Sequence, residues 1–261
     1  MKVLVKLGGS LLDGPESRHQ LAVQLAAAAN DTELAVVHGG GKQMTRYLSE
    51  HGIESRFVNG LRVTTPETLD AVLKVFAGSV NQELVASLNR GGVPAVGLSG
   101  IDALIAEAEQ MDPALGAVGR VTKSNPRLLN LLTAYRYVPV VACVAGSREG
   151  EIFNVNADQM AVACAAAFGA RHLIFLTDVE GVLDDHHRVC PVLTVSQSER
   201  WIEEGVATGG MQAKLNAATA ALRAGVEQVR IAPGTAPNVL ARILAGETIG
   251  TRVVLMEGHA A

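Results

Sequence analysis

A lysine set in an apolar run and followed by paired glycines brings positive charge and bare backbone amides to one place, which suits an anion. The sequence opens with such an arrangement, Lys6-Leu7-Gly8-Gly9-Ser10, and repeats its glycine part at His38-Gly39-Gly40-Gly41-Lys42. Consecutive glycines carry no Cβ, so the chain can approach a ligand closely and turn N–H groups toward it. Where a helix opens directly after them, its first N–H groups and its dipole add to the attraction. Two such loops predict a phosphate clamped from two sides; either loop alone is equally the mark of a tight turn. Lys6 would sit in a buried strand, which costs several kcal/mol unless the ammonium is paired or faces an anion. Thr208-Gly209-Gly210-Met211 then leads into a helical pattern carrying Lys214, either a solvated helix residue or a second cation at the same place. Lysine is scarce in the chain, six against sixteen arginines, which makes both conspicuous.

Further polar groups follow later apolar runs. If Asn154-Val155-Asn156-Ala157-Asp158 is extended, Asn154, Asn156 and Asp158 share one face; Asp158 reads equally as the N-cap of the helix that follows. Thr177-Asp178-Val179-Glu180-Gly181-Val182 stands at the end of another run. Two phosphate motifs do not fit. The P-loop needs a glycine where Val36 stands and Ser or Thr where Gln43 stands. The dinucleotide fingerprint fits Gly39 and Gly41 but meets Met44 at its third glycine. Cys143, Cys164 and Cys190 form no C-x-x-C pair and read as free thiols rather than disulfide or zinc partners. His186 and His187 are adjacent and read as a polar turn.

The elements that must position these groups alternate. Short runs rich in Val, Leu and Ile at 3–7, 34–37, 95–98, 138–144, 172–176, 229–232 and 251–255 read as buried strands. Between them, 17–29, 42–51, 67–89, 126–135, 158–168, 196–204, 211–224 and 237–245 have helical spacing. This rhythm predicts an α/β fold with a mainly parallel sheet covered on both faces. A hairpin turn is expected at 146–150, a short β element at 118–122, and a lobe boundary near 168–170. The chain has 261 residues, 48% hydrophobic and 18% charged, with a formal net charge of −4. That composition excludes disorder and lacks the basic stripe of a nucleic-acid binder. With no long apolar stretch or signal region, a cytoplasmic protein without a membrane segment is expected.

Taken together, the segments resemble the amino acid kinase family from Lys6 to about Thr251. The matching blocks are Lys6-Leu7-Gly8-Gly9, Val37-His38-Gly39-Gly40-Gly41, Asn59-Gly60-Leu61-Arg62-Val63-Thr64, Gly97-Leu98-Ser99-Gly100, Asn154 to Asp158, Leu176 to Val182, and Gly209-Gly210-Met211 with Lys214. The resemblance implies a three-layer αβα sandwich in two lobes. Residues 1–170 would hold an acetylated amino acid and pair subunits; residues 171–261 would hold ATP. The implied reaction moves the γ-phosphoryl group of ATP to the side-chain carboxylate of N-acetyl-L-glutamate, a step of arginine biosynthesis. By the same resemblance Lys6 and Lys214 stabilise the transferring phosphoryl, helped by the amides of Gly9 and Gly41, and Asp158 holds both lysines. Arg62 grips the α-carboxylate, with Gly40, Gly41 and Asn154 positioning the substrate. Gly8, Asp178, Val179, Gly181, Val182, Leu183, Gly209 and Met211 border the nucleotide. Mg²⁺ would come bound to ATP, with no metal site of the protein's own.

The chain departs from some relatives at Gly100-Ile101-Asp102-Ala103, where they carry Lys-Asp-Gly. Within the family the alternative acceptor is a carrier-protein-linked 2-aminoadipate, whose kinases favour Asp-Gly-Leu-Arg-Ser and Asn-Val-Asp-Gly-Asp; this chain differs at both places. A catalytically silent amino-acid or nucleotide sensor on the same fold is the reading from another class, and it requires loss of a charge that Lys6, Lys214 and Asp158 all retain. A first strand beginning at residue 2 leaves no room for the N-terminal helix that links arginine-inhibited relatives into hexamers. A homodimer insensitive to arginine is therefore expected; the stripe Leu69, Val72, Leu73, Phe76 and Val80 either lies wholly against the sheet or offers part of itself to a partner, which periodicity does not separate.

Overall fold

The structure is a computed structural model describing residues 1–256; the last five residues of the expected C-terminal lobe lie outside the described residues. Strand β1 (Lys2–Leu7) leads through a 3₁₀ turn (Gly9–Leu12) into α1 (Pro15–Ala29), and β2 (Glu33–His38) into α2 (Gly41–Glu50). A small hairpin follows, β3 (Phe57–Val58) and β4 (Leu61–Arg62), then α3 (Pro66–Val72), a π-helical segment (Leu73–Val80) and α4 (Asn81–Arg90). Next come β5 (Ala95–Ser99), β6 (Ala106–Gln110), β7 (Val118–Ser124), α5 (Arg127–Ala134), β8 (Val138–Ala142), β9 (Val144–Gly146), β10 (Ile152–Val155) and α6 (Ala157–Phe168). The remainder is β11 (His172–Thr177), β12 (Val192–Thr194), α7 (Val195–Glu203), α8 (Gly209–Arg223), β13 (Gln228–Pro233), α9 (Val239–Leu244) and β14 (Thr251–Val254).

Eight strands form the central sheet in the order β12-β14-β13-β11-β1-β2-β8-β5. All neighbours are parallel except β13 and β14. Buried Val and Leu run almost continuously along β1, β2, β8 and β11, as a sheet covered by helices on both faces requires. The sheet runs unbroken across residue 170, because β1 pairs with β11 from Val3–His172 to Leu7–Leu176. Beside it, β10, β7, β6 and β9 close a small barrel. Among the described residues no helix is long and apolar enough to cross a membrane.

Three expectations need correction. The helical pattern 67–89 is not one helix. Thr65 caps α3 by accepting from the Thr68 amide, but the helix widens into the π segment, where Gly78 leaves helical geometry (φ −86°, ψ −105°). Through this segment Phe76 and Val80 both reach Gly40: a Cβ there would lie 3.0 Å from the Phe76 ring and 3.3 Å from Val80. The apolar run 138–144 divides at Cys143, whose amide still bonds His38 in the sheet while its carbonyl bonds Val155 in the barrel. The barrel strand 106–110, the edge strand 192–194 and the hairpin around 57–62 are too short or too polar to show an apolar period.

Candidate active site

Strand β1 carries Lys6 to the carboxyl end of the sheet, and α6 packs across that strand with α8 against its other flank. This stacking puts three charges in one line. Lys6 Nζ lies 2.6 Å from Asp158 Oδ1, and Lys214 Nζ lies 3.8 Å from Asp158 Oδ2. The side chains of Lys6 and Asp158 are only 9% and 8% exposed and that of Lys214 17%, so the ion pair is largely removed from water. Burial draws the Lys214 pKa below its ordinary value, with the charge of Asp158 opposing that fall. Two ammonium groups against one carboxylate leave a net positive charge, held in place by a shared partner. Asp158 is not the helix cap: Asn156 caps α6, its side chain accepting from the amides of Asp158 and Gln159. Asn154 and Asn156 line one cavity, but the helix beginning at Ala157 takes Asp158 out of the alternation an extended segment would give.

The two glycine loops meet. A Cβ on Gly9 would lie 3.3 Å from the Gly41 nitrogen, and Gln43 Nε2 donates to the Gly9 carbonyl at 3.1 Å. No protein acceptor within the described residues takes the amides of Gly9, Ser10, Gly41, Lys42 or Gln43. They are the donors that a 3₁₀ turn and a helix leave free at their starts. The Gly8 amide, by contrast, is committed to Leu176 O at 2.9 Å. Met44, at the third position of the failed dinucleotide fingerprint, is fully buried in the core.

Beyond the glycines lies a cavity of about 170 Å³ lined by Gly40, Gly41, Phe57, Arg62, Asn154 and neighbours. Arg62 enters it from the hairpin, braced on every side. Its Nη2 donates to Thr45 Oγ1 at 2.8 Å and to Gly41 O at 3.4 Å, its Nη1 bonds the Ser55 hydroxyl, and its guanidinium stacks 4.5 Å over the Phe57 ring. Burial lowers its pKa. Asn154 Nδ2 donates to Thr64 Oγ1 at 3.0 Å, and Thr64 donates in turn to the Arg62 carbonyl at 2.9 Å. Cys143 also lines this cavity, its thiol pKa pushed up to about 12 by burial. Thr45, Ser55, Thr64 and Phe76 escaped sequence reasoning, since isolated hydroxyls and phenylalanines carry no spacing signal. The glycine triplet before Thr45 and the Arg62-Val63-Thr64 string were the only pointers.

On the other side, the 177–183 segment is looser. Asp178, Val179 and Leu183 are exposed, whereas Val182 packs into the core with its amide bonded to Thr251 Oγ1. Burial pushes the Asp178 pKa up, but the hydroxyls of Ser10 and Thr177 and the charge of Lys42 bring it below the ordinary value. Gly209 and Met211 open α8, with Gly209 at φ 54°. The loop at Gly100 resolves into a strand end: Asp102 accepts from the amide and hydroxyl of Ser99, and Ala103 and Leu104 take left-handed geometry. Arg188 and His186 amides fold onto Asp184, the polar turn expected at the adjacent histidines. Among the described residues no cluster of His, Cys, Asp or Glu could hold a metal ion, and the three cysteines are free.

Residues 1–233 match the profile of the amino acid kinase family. An acetylglutamate kinase of Solibacter usitatus (strain Ellin6076) is 72% identical over 97% of this chain and 99% of its own length. Another, from Acidobacterium capsulatum, is 45% identical over 97% of this chain and 99% of its own. The crystal structure of smu.665 from Streptococcus mutans UA159 superposes with a TM-score of 0.83 at 28% identity, covering 97% of this chain and 98% of that one.

Proposed function

The chain belongs to the amino acid kinase family, and from that premise we propose that it is an ATP-dependent acetylglutamate kinase, phosphorylating the side-chain carboxylate of N-acetyl-L-glutamate in arginine biosynthesis. The observation that carries this reading, beside the relatives, is the buried line Lys6–Asp158–Lys214 next to a cavity that already holds an arginine.

The chemistry follows from the charges. A carboxylate oxygen of the substrate attacks the γ-phosphorus; the bond to the bridging oxygen breaks and ADP leaves. The nucleophile is already ionised, so no base is required, and the obstacle is repulsion between two anions in a loose transition state. Lys6 and Lys214 offset that repulsion from two directions, and Asp158 fixes both so that little reorganisation is needed during transfer. The free amides of Gly9 and Gly41 supplement them. Arg62, too firmly braced to follow the moving phosphoryl, is suited to the α-carboxylate, which its planar fork can meet with two bonds. Asn154, held by Thr64, and the Gly40–Gly41 backbone complete the acceptor side. Gly8, Asp178, Val179, Gly181, Leu183, Gly209 and Met211 border the nucleotide, with Val182 supporting them from the core. Mg²⁺ would come bound to the nucleotide, and the chemistry it would supply there is neutralisation of phosphate charge.

Residues 1–170 then form the acceptor lobe and residues 171–261 the nucleotide lobe of a cytoplasmic homodimer. The position of β5 at the edge of the central sheet supports pairing through the first lobe. A coupled assay of ADP release with N-acetylglutamate and glutamate tests the activity. Strong preference for the acetylated substrate is expected, because the amide removes the positive charge of the nitrogen; equal efficiency on both overturns the reading.

A further inference from the structure

We propose that Lys42 is a third cation of the transfer site, one that folds onto the terminal phosphates of ATP when the nucleotide enters. The proposal deepens the kinase reading above and rests on it. Of the six lysines in the sequence, Lys6 and Lys214 meet at Asp158, and Lys42 lines the cleft that Gly9, Ser10 and Gly41 border. Lys42 is the second residue of α2, where a positive charge opposes the helix dipole at a cost of about 0.3–1 kcal/mol. The first turn holds no acidic residue to offset that cost. Arg46, one turn later, pairs with Asp13 at 3.3 Å, and Lys74 pairs with Asp70, but no ion pair among the described residues includes Lys42. A residue that breaks a local rule without a folding gain points to function.

Its surroundings say which function. The side chain is exposed and lines an open cleft of about 740 Å³ with Gly9, Ser10, Gly41 and Arg62, next to the free amides of both glycine loops. Its charge helps hold the Asp178 carboxyl, just past the end of β11, below its ordinary pKa. Lys6 and Lys214 are held at the buried carboxylate of Asp158, whereas Lys42 is exposed and has no ion-pair partner among the described residues. An exposed ammonium that shares its cleft with Gly9 and Gly41 matches a polyanion entering from solvent.

The test compares Lys42→Met with Lys42→Arg. For Lys42→Met, kcat/KM for ATP is expected to fall about tenfold, the scale of one charged hydrogen bond in a partly wet site, with KM for N-acetylglutamate within twofold. Lys42→Arg should restore most of it. Calorimetric titration with ADP should show the same loss of affinity, while the melting temperature of the ligand-free Met variant stays level or rises, since a charge unfavourable to the helix is gone. Unchanged ADP affinity in Lys42→Met, a matching loss in Lys42→Arg, or a fall in melting temperature of the ligand-free variant overturns the assignment. If the unmutated protein fails to phosphorylate N-acetylglutamate, the kinase reading falls separately, because the ADP titration still reports on Lys42.

Discussion

The proposed acceptor wall and the proposed nucleotide wall of the cleft are built by different means. On the acceptor wall nearly every polar side chain already has a partner: Arg62 is tied to Thr45, Ser55 and Gly41, and Asn154 to Thr64. The order continues below it, where the Asn81 Nδ2 donates to His38 Nε2 and to Val140 O, both at 2.9 Å, with Leu98 O at 3.3 Å. On the nucleotide wall Val179 and Leu183 are 39% and 41% exposed, and Gly209 opens its helix from a left-handed position. Lys214 holds only a distant carboxylate and the Gly210 carbonyl. A wall prepared in advance loses little freedom on binding, whereas a loose one must be ordered by its ligand. On the proposed function, selectivity between small acceptors would therefore belong to the first wall, and closure onto ATP to the second.

The largest blow to this contrast is aimed at the shared charge. Lys214→Ala should lower kcat by about 10²–10³-fold, as the loss of one preorganised donor does, with the fold retained because the side chain lies at the border of the cleft. Near wild-type kcat would return Lys214 to the role of a solvated helix residue. Next comes acid. Burial lowers the His38 pKa from 6.5 to about 4, and its Nδ1 meets the Gly39 carbonyl at 2.7 Å while Asn81 donates to its Nε2. The unfolded chain takes up this proton below pH 6.5 and the folded protein only near pH 4, so stability present above the window is lost as pH falls through it. The loss amounts to about 3 kcal/mol at about 1.4 kcal/mol per pH unit. Melting temperatures from pH 7 to pH 4 should fall less steeply in His38→Gln; parallel curves would mean that other groups govern the acid limit. Smallest is the change confined to the acceptor wall. Arg62→Ala should raise KM for N-acetylglutamate about 10–100-fold, the worth of a charged hydrogen bond, with little change in kcat or in KM for ATP. A kcat loss at constant KM would move Arg62 from holding the substrate to stabilising the transition state.

Much of this was legible in the order of residue types. The glycines could be found because they stand where buried strands end, and the end of a parallel strand is where ligands bind. Lys6 could be found because an ammonium inside an apolar run demands a partner. Asp158 was visible but ambiguous, since an acid after Asn-Val-Asn-Ala serves equally as a cap or as a counter-ion. Distance resolves it: Asn156 takes the cap, and Asp158 meets two lysines from remote segments. The break in 67–89 was hidden, since the π turn keeps an apolar stripe that looks helical.

What the sequence determined by itself is therefore the alternation of core strands and helices, the parallel sheet, and the glycine and lysine positions, because those depend on local periodicity and on the absence of a Cβ. Tertiary structure alone decided how the charges add. Lys6 and Lys214 stand 208 positions apart in the chain, and only the packing of α6 between β1 and α8 brings both ammonium groups to one carboxylate. Likewise Thr45, Ser55 and Thr64 are ordinary hydroxyls until the β3–β4 hairpin folds Arg62 over the start of α2. Coulomb energies and hydrogen bonds depend on separation in space, and separation along the chain does not report it.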